Sequence, residues 1–130
     1  MSPGQIALVR QSFALVQPRM AEFGRVFYAR LFTTNPELRG MFAKDMAKQT
    51  RALNGMIELI VKMLDMHEKL VPLIHYLGDR HRAANVKAEH YAPFGAALLW
   101  SLEGMLQDEF TPEMRQAWQA AYAFMADNMN

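Results

Sequence analysis

Leu70 to Tyr91 reads LVPLIHYLGDRHRAANVKAEHY, and the rest of the chain is organised around this stretch. Leu70, Leu73, Ile74 and Leu77 recur at helical spacing, and the next step along the same stripe falls on His81. The pattern predicts a helix that turns an imidazole toward the interior. Such a residue is either a core histidine satisfied by a hydrogen bond, which spacing alone favours, or a metal or cofactor ligand. His67, His75, His81 and His90 never stand three or four residues apart, so no two can share a zinc ion from one helix face. A lone inward imidazole suits a cofactor that needs a single axial ligand.

At 130 residues the chain predicts one domain, spanning 1–130, with room for a sizeable core. Its 14 basic and 13 acidic residues are interspersed and leave a net charge of +1. That balance argues against a nucleic-acid or membrane-surface role. There is no cysteine, which excludes disulfides and thiolate metal sites and permits a reducing compartment. The first residues, MSPGQ, carry no basic and apolar signal segment, and charges such as Glu58 and Lys62 interrupt the long apolar runs. A soluble cytoplasmic protein is expected. The 11 methionines are read as flexible core filler.

Helical periods account for the chain from end to end, and no strand alternation, repeat or glycine-rich phosphate loop is present. Ser2, Pro3 and Gln5 predict a capping box that starts the first helix, and Pro18 is expected to interrupt it. A second helix is predicted from Arg19 to Thr33, with Tyr28 on its inner side. Gly24 within it costs roughly 1 kcal/mol against Ala, a cost that a close helix crossing would explain. Asn35 and Pro36 start a short helical turn ending near Phe42. The helix after Lys44 carries the stripe Leu53, Met56, Ile57, Ile60, Val61 and Leu64, which extends back to the polar Gln49. Pro72 is expected in the first turn of the helix leading to His81, Asn85 at the bend after it, and Pro93 at the start of the next helix. Thr111, Pro112 and Glu113 predict the cap of the last helix, which buries Met114, Trp118, Ala121, Tyr122 and Met125.

Leu77-Gly78-Asp79-Arg80-His81-Arg82-Ala83, followed by Val86-Lys87 and His90-Tyr91, resembles the proximal segment of globins. It is similar to bacterial single-domain haemoglobins, to flavohaemoglobin haem domains and to neuroglobin. The resemblance extends through Phe110-Thr111-Pro112, Arg115, Ala117-Trp118 and Tyr122 of the last helix. It implies an all-α globin fold, with about six to eight helices around one haem pocket, and haem b as cofactor. It makes His81 the proximal iron ligand, its second ring nitrogen bonded to the Leu77 carbonyl. Tyr28 and Gln49 become distal hydrogen-bond donors. Phe42, Leu53, Leu77, Val86, Tyr91 and Phe94 would line the pocket, and Arg80 and Arg51 would contact the haem propionates.

The implied function is reversible binding of dioxygen and other diatomic gases at five-coordinate iron, with slow release of oxygen. Gln49 stands where many globins have a histidine, and an amide donates a hydrogen bond but is a poor iron ligand. Tyr91 matches a tyrosine that polarises the proximal histidine in flavohaemoglobins, while the glutamate that assists it there has no counterpart before Asn130. That weakens the case for peroxidase-like chemistry, and gas binding is the preferred reading. The enzymatic alternative is nitric oxide dioxygenation, for which a separate reductase would be the partner. A helical interaction domain without haem is the third reading.

Overall fold

The computed structural model describes residues 1–42 and 44–129. Among them are six α-helices: α1 (Pro3–Val16), α2 (Met20–Thr34), α3 (Met46–Met63), α4 (His67–Ala83), α5 (Tyr91–Leu106) and α6 (Pro112–Met129). Short 3-10 turns join them, and none of the described residues is in a strand. Local chemistry sets most of the boundaries. Ser2 Oγ accepts from the Gln5 amide at 3.1 Å while Gln5 Oε1 accepts from the Ser2 amide at 3.0 Å, satisfying two of the donors that a helix start leaves orphaned. Pro18 lies in the 3-10 turn that separates α1 from α2. Asp45 caps α3 through the Lys48 amide at 3.1 Å, and Thr111 caps α6 through the Met114 amide at 3.1 Å.

One boundary differs from expectation. Pro72 lies inside α4 and not in its first turn, because the helix already starts at His67. Proline has no amide to give the Glu68 carbonyl, so α4 lacks that bond and is carried through by its buried stripe of Leu70, Ile74 and Leu77.

Helix α2 packs across both α5 and α3, while α1 and α4 lie against α6. Phe23, Leu31, Leu70, Ile74 and Leu102 are fully enclosed where these layers meet. The core also holds a satisfied polar link. Ser12 Oγ donates to the Leu8 carbonyl at 2.8 Å and accepts from Trp118 Nε1 at 2.7 Å, tying α1 to α6. No helix among the described residues is long and apolar enough to cross a membrane.

The α2–α3 crossing is the tightest sequence-legible feature of the fold. A Cβ on Gly24 would stand 2.2 Å from Thr50 Cγ2 and 3.0 Å from Asn54 Oδ1, well inside contact distance. The glycine permits the approach, as its place in a helix suggested. Gly24→Ala should therefore destabilise the fold by about 1–3 kcal/mol, measured as a lower urea midpoint. Adding Thr50→Ala, which removes the clashing methyl, should recover more than half of the loss. Equal midpoints for Gly24→Ala and the parent would contradict the crossing.

Candidate haem site

Two groups of side chains make up the site, and the first turn of α5 joins them. The first comes from α2, α3 and the 3-10 turn Pro36–Met41. Tyr28 is 6% exposed, and Gln49 Nε2 donates to its hydroxyl at 3.4 Å. That distance is long for an N–H···O bond, so helix packing and not the bond itself brings the two together. Aromatic rings surround Tyr28: Phe42 lies edge-on at 5.4 Å, Phe32 stacks at 5.8 Å, and Phe42 in turn meets Phe94 of α5 at 6.1 Å. Burial pushes the Tyr28 phenol above its ordinary pKa of 10.0, against a smaller opposing effect of the Gln49 bond. The hydroxyl consequently keeps its proton at neutral pH, and among the described residues that proton is committed to no acceptor.

The second group lies at the end of α4. Asn85 adopts a left-handed conformation, φ 66°, and the Val86 amide returns to the His81 carbonyl at 2.8 Å while the Asn85 amide bonds the Arg82 carbonyl at 3.0 Å. These two bonds are a Schellman ending; asparagine tolerates the backbone there because its short polar side chain fits the left-handed region. The motif sets Val86 beside His81. A Cβ on Gly78 would lie 2.3 Å from the Met129 carbonyl oxygen, and Arg82 donates to that same carbonyl, so the end of α6 presses on α4 one turn before His81. Leu77 is buried and Tyr91 nearly so. Tyr122 Oη donates to the Tyr91 carbonyl at 2.5 Å, fixing the first turn of α5, where Tyr91 and Phe94 stand a helical turn apart.

His81 is half-buried, and burial lowers its pKa from the ordinary 6.5. Its Nδ1 is enclosed and has no hydrogen-bond partner. The expected bond to the Leu77 carbonyl is not formed. Arg80 Nη1 donates to the Tyr76 hydroxyl at 3.1 Å, and its guanidinium lies over that ring. Arg51 borders a groove between α2 and α3 together with Ala47, Thr50 and Asn54; two positions along a helix from Gln49, it points to the opposite side.

The fit of these residues to a haem rests on two observations. An enclosed imidazole nitrogen without a partner is costly, by about 1–3 kcal/mol, unless something absent from the chain itself completes it. Leu53, Met56, Ile57 and Ile60 of α3, with Phe42, Val86 and Phe94, remain only half-buried although they pack on the core. A large apolar ligand would cover them at roughly 25 cal/mol per Å². Among the described residues no three His, Cys, Asp or Glu side chains could hold a metal ion, so a lone imidazole suits a group that brings its own equatorial ligands.

The described residues form an all-helical fold in which one enclosed imidazole and a group of half-buried apolar side chains stand together. The globin family model matches residues 25–129, and the chain belongs to the globin family. That membership implies a haem cofactor and haem-based gas binding. Similar proteins are the flavohemoprotein of Bacillus subtilis, 30% identical over 125 residues, covering 94% of this chain and 31% of that protein. Those of Bordetella parapertussis (32% over 130 residues; 98% and 32%) and Deinococcus radiodurans (31% over 132 residues; 99% and 33%) are alike. The chain thus spans about a third of the length of these relatives.

Sequence reasoning passed over Tyr122 as a simple core residue, although it holds the backbone of Tyr91. It also left out Phe32 and His90, which extend the aromatic group; His90 stacks on Phe94 at 6.5 Å and accepts the Lys87 amide at 2.9 Å. Aromatic content in the short segments around Phe42 and Phe94 was the available signal.

The lowered pKa of His81 has a pH signature in the haem-free protein. The unfolded chain takes up a proton near 6.5 while the folded one resists it, so the stability tied to His81 is present above about pH 6.5 and is lost as pH falls toward the folded value. Urea midpoints measured between about pH 7 and pH 5.5 should fall less steeply for His81→Leu than for the parent. Parallel curves would place His81 in a solvated position.

Proposed function

We propose that this chain binds dioxygen reversibly at a haem b held by His81, and releases it slowly. The observation that carries the reading is the buried Tyr28 hydroxyl, which receives Gln49 and has its own proton uncommitted. Haem iron held from one side by an imidazole supplies an open position for a diatomic gas. The chain's part is to orient and enclose. His81 would anchor the group, with Val86 and Leu77 limiting rotation of the ring and excluding water. Tyr28 would donate its proton to a polar guest on the opposite side, and the Gln49 amide would hold the phenol in position while offering a second, weaker donor. Phe42, Phe94 and Leu53 would form the apolar walls. Each donor to a buried polar acceptor contributes about 1–3 kcal/mol.

A second reading, nitric oxide dioxygenation, is favoured by the similarity to proteins whose name pairs flavin with haem. It would need a reductant to restore the iron. Sustained nitric oxide consumption by the purified protein with an electron donor would move the assignment to that reading.

The assignment is tested in three variants. His81→Leu should lose haem, seen as a diminished Soret band, while keeping its helical circular dichroism. Tyr28→Phe should raise the oxygen dissociation rate by at least about tenfold, equivalent to ~1.4 kcal/mol, and Gln49→Leu by less, with carbon monoxide release changing little in either. With no histidine on α3, the gas-free ferrous spectrum should be five-coordinate. A Tyr28→Phe rate within about twofold of the parent would remove Tyr28 from the mechanism.

A further inference from the structure

Gly24, Gly78 and Gly95 each have a neighbour within 3.0 Å of where a Cβ would stand, and the three neighbours are not alike. At Gly24 and Gly95 the neighbour is a side chain, Thr50 or Tyr122, which has other rotamers open to it. At Gly78 it is backbone: a Cβ there would lie 2.3 Å from the Met129 carbonyl oxygen, 2.9 Å from its Cα and 3.0 Å from its carbonyl carbon. Backbone held in a helix cannot turn aside, so α4 and α6 meet at a fixed separation at this point. Gly78 stands three residues before His81 and is buried. Arg82, one residue after His81, takes hold of the same carbonyl: Nη1 donates to Met129 O, while Nη2 donates to the Asp79 carboxylate.

Of these two bonds, the one to Met129 is the firmer hold. Asp79 and Arg82 are an i,i+3 pair whose side chains are both more than half exposed, and such pairs contribute little. Met129 is buried and stands in the last turn described for α6, where carbonyls lack helical amides to accept from and the helix dipole favours a cation. The Arg82 guanidinium thus satisfies an acceptor that belongs to a different helix. Gly78 and Arg82 are four residues apart on one stripe of α4, with His81 on the adjoining stripe. Both contacts go to one carbonyl, so His81 is bracketed in sequence by the two points at which α6 is gripped, and the Val86 amide holds the His81 carbonyl at 2.8 Å. Burial raises the pKa of the Tyr91 phenol and the Arg82 charge opposes that rise, which places the guanidinium near the start of α5 as well.

We propose that Arg82 is a positioning residue: by gripping the α6 carbonyl against which Gly78 packs, it fixes the depth and tilt at which the His81 imidazole enters the pocket, and so the hold of the protein on a haem. Its effect passes through the backbone of α4. With Arg82 shortened, the end of α6 keeps only its packing contact with Gly78, and the last turn of α4 gains freedom. The imidazole then samples several heights where the native chain holds one. This inference rests on the haem reading of the preceding subsection and adds the part of the chain that sets the geometry of the ligand.

The test compares Arg82→Met, Arg82→Lys and Asp79→Asn with the parent, and adds Ser12→Ala as a variant destabilised elsewhere, through loss of the acceptor of Trp118. Resonance Raman spectra of the gas-free ferrous protein read the iron–histidine stretch, which answers to the geometry of the imidazole and not to global stability. That band should shift and broaden in Arg82→Met, return toward the parent in Arg82→Lys, which restores a donor, and stay in place in Asp79→Asn and Ser12→Ala. Transfer of haem to an excess of apomyoglobin should be at least about tenfold faster from Arg82→Met, the equivalent of one charge-assisted hydrogen bond, and within about twofold of the parent from Asp79→Asn. In the haem-free protein, hydrogen exchange of the Val86 amide and of the last-turn amides of α6 should quicken in Arg82→Met while α1 and α2 stay unchanged, a measurement that remains readable if the variant retains no haem. An unmoved band in Arg82→Met, an equal shift in Ser12→Ala, or unchanged exchange at both places overturns the proposal. A purified parent with no Soret band sinks the haem reading itself, an outcome distinct from a haem-loaded parent whose iron–histidine band ignores Arg82.

Discussion

The approach of α2 to α3 at Gly24 is the constraint on which the candidate site depends. With no Cβ between the helices, Thr50 and Asn54 come against the α2 backbone, and Asn54 Nδ2 bonds the Met20 carbonyl at 2.9 Å across the crossing. One turn beyond Gly24 stands Tyr28, and one residue before Thr50 stands Gln49. Their contact at 3.4 Å follows from the crossing; a bond that long contributes too little to hold two helices together. The same approach shapes the outer groove bordered by Arg25 and Arg51, so one small residue governs both faces of Tyr28.

The opposite wall follows a different logic. There the helix ends, and the ending itself places the chemistry: Asn85 turns left-handed, Val86 returns beside His81, and the Arg82 contact to the end of α6 closes the turn from behind. The Tyr28–Gln49 pair satisfies itself in part within the protein. The His81 imidazole does not, since its enclosed Nδ1 lacks a partner. Burial also disfavours the charged ring, and the neutral imidazole is the form that can ligate.

Elements governed by local chemistry could be read in advance. The capping boundaries at Ser2 and Thr111, the break at Pro18 and the bend at Asn85 all depend on interactions spanning a few residues. Pro72 shows the limit of such reading: a proline is compatible with a first turn, but tertiary burial of Leu70 and Ile74 extends α4 upstream and leaves it in the interior. The surroundings of Arg51 and Arg80 depend on tertiary contacts. Their long side chains reach whatever lies nearby, here a groove wall and the Tyr76 ring, and helical periodicity alone does not choose among those destinations.

What the sequence by itself determined is the set of helices, the inward faces, the lone imidazole and the resemblance that placed Tyr28 and Gln49 in one pocket. Each depends on spacing along the chain or on matched motifs. Only the tertiary structure decided the long hydrogen bond between those two residues, the missing partner of His81, the grip of Tyr122 on Tyr91, and the gathering of Arg25, Arg39 and Arg51 around one groove. Those facts depend on how closely backbones from distant parts of the chain approach. That separation is set by the size of side chains on two helices at once, a quantity that no single stretch of sequence contains.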